Sequence, residues 1–360
     1  MKYSLLGTTA LAGVALAGLG TATPAQAQSP ALEVIVGGFV GFEVNGASED
    51  ALDGDLEEGS DRGYEFSTDS ELHIRVQGET EGGTLYGAKI EFEADQGTDN
   101  NVDEAGLFFS GAYGRVELGA DDGVEDNMSL GAHTIAAGTG GLDGEADFIM
   151  GTNTFVFDTD DAVKATYYTP RIAGFQVGVS FTPDTGDDGD NENLSGSRSG
   201  DNENSVGVGA NYTGEFGPAE LGLAAVGHYA KGEENAGSAG SDRAETIRSY
   251  ALGGTLGFGD LQFAGSWGQN LRANELDFIT AGVAYDFGFV NTSFNYNWVD
   301  PAGEDIELSG GQLSDGSTRH IFVFSADTGL APGLSLAGDI AYTDAEENFV
   351  SGIGRVQVEF

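Results

Sequence analysis

Cysteine is absent from all 360 residues, so no disulfide staples this chain and no thiolate can act as a nucleophile or metal ligand. Basic residues are nearly as scarce. Fourteen Lys plus Arg stand against 59 Asp plus Glu, a formal charge of -45. Nucleic acid is therefore excluded as a partner, because binding it needs clustered Lys and Arg that release counterions. Only 7 prolines accompany 59 glycines, a balance that fits neither collagen nor a proline-rich linker. The four histidines, His73, His133, His228 and His320, are far apart, and no HExxH, GxSxG or GxxxxGK[ST] motif occurs. Neither an enzyme nor a tightly held cofactor is expected from such a chain, and His73 and His320 read as wall residues rather than ligands. No run after residue 27 reaches the roughly 18 apolar residues of a membrane-spanning helix.

The first 27 residues stand apart. Lys2 supplies a positive start, Leu5 to Ala22 are rich in Leu, Ala and Gly, and Ala25-Gln26-Ala27 has the small-x-small form of a cleavage site. This is the pattern of a secretory signal peptide over 1–27, leaving 28–360 as one exported domain.

What the exported part has in abundance is alternation. Leu72, Ile74 and Val76 are interleaved with Glu71, His73, Arg75 and Gln77, and Tyr86, Ala88, Ile90 and Phe92 with Gly87, Lys89, Glu91 and Glu93. Period two marks strands with one apolar and one polar face. Such segments run over 33–46, 64–79, 84–95, 103–111, 113–120, 162–170, 173–183, 205–213, 218–230, 245–257, 260–269, 276–287, 289–299, 318–328, 332–343 and 350–360. That predicts sixteen strands joined alternately by short turns and long loops, with both termini on the turn side. Segments 245–257 and 318–328 carry apolar residues on both phases, which leaves a count of 14 or 18 open. A soluble sandwich seldom sorts its connections by length, whereas a transmembrane antiparallel β-barrel must, since each hairpin crosses the same slab and returns. Closure also removes the edge strands that hydrocarbon cannot tolerate. Tyr167, Phe175, Phe181, Tyr229, Trp267, Tyr285, Phe287, Trp298 and Tyr342 fall near strand ends, where interfacial girdles belong, although aromatics also favour strands in general.

Residues 121–161 form the longest connection. A solvated loop would have no use for Ile135, Leu142, Phe148, Ile149, Met150, Phe155 and Phe157, so the segment is expected to fold inward and pack in the barrel lumen. Arg75, Lys89, Arg115, Lys164 and Arg355 all lie on the polar phase of their strands. Facing an acidic inward loop, they would set a transverse field across the opening, and the excess of acid predicts weak cation preference. The bland alternative pairs them with Glu91, Glu93, Glu117 and Glu359 as neutral wall. The acidic stretch at 184–192 lacks the spacing of a calcium loop, but dense carboxylates beside anionic lipopolysaccharide are compatible with loosely bound Ca²⁺. The chain stops on GRVQVEF, with Val356, Val358 and Phe360 alternating against Arg355, Gln357 and Glu359. Closure would pair this strand with the first, near Val34 to Val44, and leave Phe360 as an interfacial anchor.

Two stretches, TYYTPRIAGFQVGVSFTPD at 166–184 and FFSGAYGRVELGADDG at 108–123, together with VIVGGFVGFEVN at 34–45 and the final Phe360, resemble the Gram-negative general diffusion porins of α-proteobacteria. The resemblance implies a 16-stranded outer-membrane barrel, a homotrimer, passive diffusion of ions and small hydrophilic solutes, and a third loop folded into the lumen. It implies insertion by the barrel assembly machinery, with Phe360 as part of the signal. It also implies Arg75, Lys89, Arg115 and Arg355 on the basic side of the constriction and Asp121, Asp122, Glu125 and Asp126 on the acidic side. Family members carry more basic wall residues than this chain does. A channel that binds one sugar or phosphate and a surface-adhesion protein are the competing readings, and neither a lumenal row of aromatics nor a convergent Arg/Lys cluster favours the former.

Overall fold

The computed structural model describes residues 32–48, 63–94, 102–144, 152–185, 202–232, 246–271, 275–301, 306–307, 313–314, 317–345 and 348–360. The expected signal peptide, Phe148 to Met150 and most of the acidic stretch at 184–192 lie outside them. Eighteen strands are present among the described residues. The first nine are β1 (Glu33–Ala47), β2 (Tyr64–Glu79), β3 (Leu85–Glu93), β4 (Val102–Gly111), β5 (Gly114–Ala120), β6 (Val163–Tyr168), β7 (Phe175–Asp184), β8 (Asn202–Phe216) and β9 (Ala219–Gly232). Then come β10 (Ile247–Phe258), β11 (Leu261–Leu271), β12 (Glu275–Asp286), β13 (Asn291–Pro301), β14 (Ile306–Glu307), β15 (Leu313–Ser314), β16 (Arg319–Ala331), β17 (Leu334–Asp344) and β18 (Phe349–Glu359).

Sixteen of these close into one antiparallel barrel, and β14 with β15 forms a separate two-stranded pair within the connection expected over 300–317. Closure is made by β1 against β18, with Phe39 opposite Glu359 and Ala47 opposite Ser351, so the last strand meets the first as alternation requires. Reciprocal bonds between Gly38 and Phe360, 3.1 and 3.0 Å, finish the seam. The turns on one side are tight. Gly217 and Gly259 each open a two-residue hairpin at positive φ (+63° and +61°) with nothing crowding them, so backbone conformation rather than space demands glycine there.

The two faces of the sheet separate cleanly. Val34, Val36, Val40 and Phe42 on β1 and Phe175, Val177, Val179 and Phe181 on β7 are exposed on the outside. Outward rings meet in two groups. Phe175 and Tyr212 lie 4.7 Å apart, and Tyr285 and Phe287 4.6 Å, near the turn ends. Tyr250 with Trp267 at 5.6 Å and Tyr296 with Phe322 at 5.1 Å lie near the loop ends. Two aromatic belts flanking an apolar band are what a bilayer slab with polar interfaces selects. His320 belongs to the outer belt, its Nδ1 2.8 Å from the Tyr296 hydroxyl, which corrects its expected place on the pore wall. Strand phase is decisive, because His320 shares a face with exposed Phe324 while Ile321 and Val323 take the inner one.

Those two inward residues explain why 318–328 looked apolar on both phases. Ile321 and Val323 cluster with Ala132 and Leu142 of the connection between β5 and β6, and Ala251, Phe278 and Val299 cluster with Val124, Met128 and Val156 of the same connection. Full burial of each large side chain is worth about 1.5–3 kcal/mol. The backbone of the connection is held as well. Ala132 N donates to Thr280 Oγ1 (3.1 Å), Ala137 N to Ser293 Oγ (2.9 Å), Gly138 N to Asp327 Oδ2 (3.2 Å) and Thr139 N to Asp339 Oδ2 (3.0 Å). Further along, Asn153 N donates to Asn297 Oδ1 (3.0 Å) and Phe157 N to Asn270 Oδ1 (2.9 Å). All of these acceptors lie on the polar phase of their strands, and together they reach from β11 to β17.

Close approach needs a wall without side chains at the points of contact. A Cβ on Gly253 would sit 1.6 Å from the Leu130 carbonyl oxygen. Gly253→Val is expected to displace residues 129–131 and to destabilise the barrel by about 1–3 kcal/mol, the usual cost of overpacking. An unchanged melting temperature by circular dichroism would show that this contact is not made.

Candidate functional site

Strand alternation sets the basic residues. On β2 and β3 the register places Arg75 opposite Lys89, both on the polar phase. Arg115 projects from β5, and between Arg75 and Arg115 stands Phe108 of β4, 3% exposed, with the two guanidinium carbons 4.5 and 5.1 Å from its ring centroid. A buried aromatic face attracts both cations and holds two like charges apart at fixed spacing. Phe108 is a site residue that alternation alone assigned no role. Its phase was legible, since Leu107 and Phe109 flank it on the other face.

Asp121 sits where β5 ends, and Lys89 Nζ is 2.8 Å from its Oδ1 while also pairing with Glu104. Lys164 donates to the backbone oxygens of Asp121 and Asp160, binding the two ends of the connection to each other. Arg115 Nε is 2.5 Å from Glu117 Oε1. Arg75 Nε, by contrast, has no hydrogen-bond partner among the described residues. The structure thus brings Arg75, Lys89, Arg115 and Asp121 into one neighbourhood.

Arg355 is not part of it. Its Nε is 2.7 Å from Glu43 Oε1 and its Nη1 3.2 Å from Asp69 Oδ2, an ion pair with β1 and β2 rather than with Glu359. Glu43 faces Ser67 on β2, eight positions from Arg75, which at about 3.3 Å per residue is roughly 26 Å along the strand. Arg355 therefore neutralises the wall beside the β1–β18 seam. Arg171 likewise closes its own turn, donating to the Gly174 carbonyl and to Gln176 Oε1, both at 2.8 Å.

The acidic residues divide into those held by hydrogen-bonding partners and those crowded among other carboxylates. Glu125, 1% exposed, lies in the single helical turn Val124–Asn127; its Oε1 is 2.6 Å from His228 Nδ1 and its Oε2 accepts from Ser180 Oγ at 3.0 Å. His228 Nε2 is in turn 3.0 Å from Ser205 Oγ. Ser205, His228 and Glu125 have the connectivity of a hydrolytic triad, but at 1%, 4% and 1% exposure they are closed to a substrate, and their effect is to clamp the connection to β7, β8 and β9. Gly207 makes room for the clamp, since a Cβ there would meet Glu125 Oε2 at 1.7 Å.

Asp122 and Asp126 remain half-buried among other carboxylates. Burial first, then the charges of Asp122, Asp158, Asp143 and Glu125, push Asp126 up to about 8. Burial with Asp160, Asp103 and Asp122 raises Asp161 to about 7, and burial, opposed by a backbone hydrogen bond from Asp160, leaves Asp158 at about 6. Asp122 is raised by burial and by Asp121. His133, buried against Phe155 at 4.4 Å between ring centroids, is pushed down to about 4 and stays neutral near pH 7. A raised carboxyl is uncharged below its pKa, so this patch loses negative charge between pH 9 and 5, well above the ordinary carboxylate range. Cation preference, read as reversal potential across a KCl gradient, should fall over that interval; a constant value down to pH 5 would contradict the shifts.

A family model described as Gram-negative porin matches residues 7–348. An uncharacterized protein of Rickettsia conorii is 25% identical over 289 residues, covering 59% of this chain and 66% of that one. Across the curated Rickettsia relatives, the chain spans between 31% and 85% of their length. Among solved structures, a mutant porin of Rh. blastica superposes with a TM-score of 0.62 at 18% identity, covering 91% of this chain and 100% of its own. A trimer form of OmpT, an outer membrane protein of Vibrio cholerae, gives 0.62 at 14% identity over 92% and 100%.

Proposed function

Because the chain belongs to the Gram-negative porin family and closes into a 16-stranded outer-membrane barrel, we propose that it is a channel for passive diffusion of ions and small hydrophilic solutes. The observation that carries this reading is the polar inner face with an acidic segment bonded across it, from β7 to β17. The connection 121–161 narrows the lumen, with Arg75 and Arg115 on one side, Asp122 and Asp126 on the other, and the Lys89–Asp121 pair joining the wall to the connection. Solutes crossing between them align in a transverse field, and the surplus of acid gives weak cation preference. Glu125 serves this arrangement as an anchor and Arg355 as a distant wall charge. No reaction is assigned to the protein.

Residues 1–27 act as the export signal, and 28–360 form the channel. The apolar outside faces lipid, lipopolysaccharide and, by analogy with the trimer form of the Vibrio protein, two further copies of the chain. Loosely bound Ca²⁺ on the acidic loops relieves repulsion at that surface. Phe360, 52% exposed at the seam, anchors the last strand at the interface and forms part of the signal read by the barrel assembly machinery.

Two measurements test the reading. Asp121→Asn, Asp122→Asn and Asp126→Asn combined should move the reversal potential in a KCl gradient toward zero while single-channel conductance persists; an unmoved potential would remove these residues from the constriction. Deleting Phe360 should lower the amount of folded protein in the outer membrane more than the conductance of each inserted channel. Normal membrane levels of the shortened chain would remove its role in assembly.

A further inference from the structure

We propose that Glu71, His73 and Glu91 form a site for one divalent transition-metal cation of the zinc class on the inner wall of the barrel. Alternation on β2 puts Glu71 and His73 on the same inward face, and the β2–β3 register sets Glu91 directly opposite His73. His73 Nε2 lies 2.5 Å from Glu71 Oε2 and 3.7 Å from Glu91 Oε2. One donor atom from each of the three lies within 4.8 Å of the others. Zinc bonds of about 2.0–2.2 Å hold tetrahedral donors about 3.3 Å apart, so small rotations of the two glutamates accommodate the ion. Phe39 of β1, also inward, stands edge-on to the imidazole at 6.4 Å and 87°, which limits the ring's rotation. The fourth position opens to lumenal water.

The donor set decides the class of ion. An imidazole nitrogen with two carboxylates suits zinc, copper or nickel, while Ca²⁺ and Mg²⁺ are best served by oxygens alone. The site lies two residues along each strand from the Arg75–Lys89 pair, toward the loop ends, about 7 Å away. A bound dication there adds positive charge beside the basic residues, opposing the cation preference proposed above. The ligands lie outside that constriction set, and metal binding does not require conduction, so the two readings fail separately.

Titration of the folded, full-length protein in detergent with ZnCl₂ alone, followed by calorimetry, is the test. One zinc per chain is expected, with affinity weakened on the order of 10- to 100-fold or more in His73→Gln and, independently, in Glu91→Gln. Zinc binding unchanged in either folded variant, or displaced by equimolar Mg²⁺, would overturn the site and reduce the cluster to diffuse screening by carboxylates.

Discussion

A backbone that crosses hydrocarbon has no water to satisfy its N–H and C=O groups, and every other feature of this molecule follows from that constraint. Sixteen strands meet it by pairing on both sides and closing β1 on β18. Once closed, the sheet has an outside and an inside, and alternation sorts side chains between them without further instruction. The terminal Phe360 completes the seam through its backbone while its ring stays outward.

The connection between β5 and β6 meets the same constraint in another way. It has little regular structure, so its amides need external acceptors. The inward phase supplies them as Thr280, Ser293, Asp327, Asp339, Asn297 and Asn270, one polar side chain after another along the wall. Apolar residues fill the intervals, with Leu142 against Ile321 and Val323 and Val124 near Phe278. Burying Glu125 is tolerable because His228 and Ser180 meet its oxygens. Burial first, and then the like charges around them, raise Asp126, Asp158 and Asp161 well above the ordinary carboxylate range, to about 8, 6 and 7.

Strand number, order of turns and loops, and the β1–β18 pairing were legible because period two is a local signal that the slab enforces everywhere. The inward apolar residues of β10 and β16 blurred it, since an internal segment gives the polar face apolar work that composition cannot reveal. Arg75, Lys89 and Arg115 could be placed on the wall by phase, but phase says nothing of height, so Arg355 was grouped with residues some 26 Å away along the strand. His320 was misplaced for a related reason, because a polar residue in an aromatic belt bonds to Tyr296 at the interface instead of facing the lumen. The Glu125–His228–Ser205 clamp joins residues a hundred positions apart, and only the fold reveals it.

Scarce basic residues make the electrostatics of the lumen depend on few groups. Lys89 and Lys164 tie down Asp121, Arg115 is matched by Glu117, and Arg75 lies over the Phe108 ring. Net negative charge then sits on the internal segment. Whether that interior is an open path is tested most directly by swelling of liposomes containing the purified protein in neutral hydrophilic solutes of increasing size. The account predicts uptake that rises linearly with concentration and declines with solute size; saturation at low concentration, or no swelling from folded protein, would contradict it.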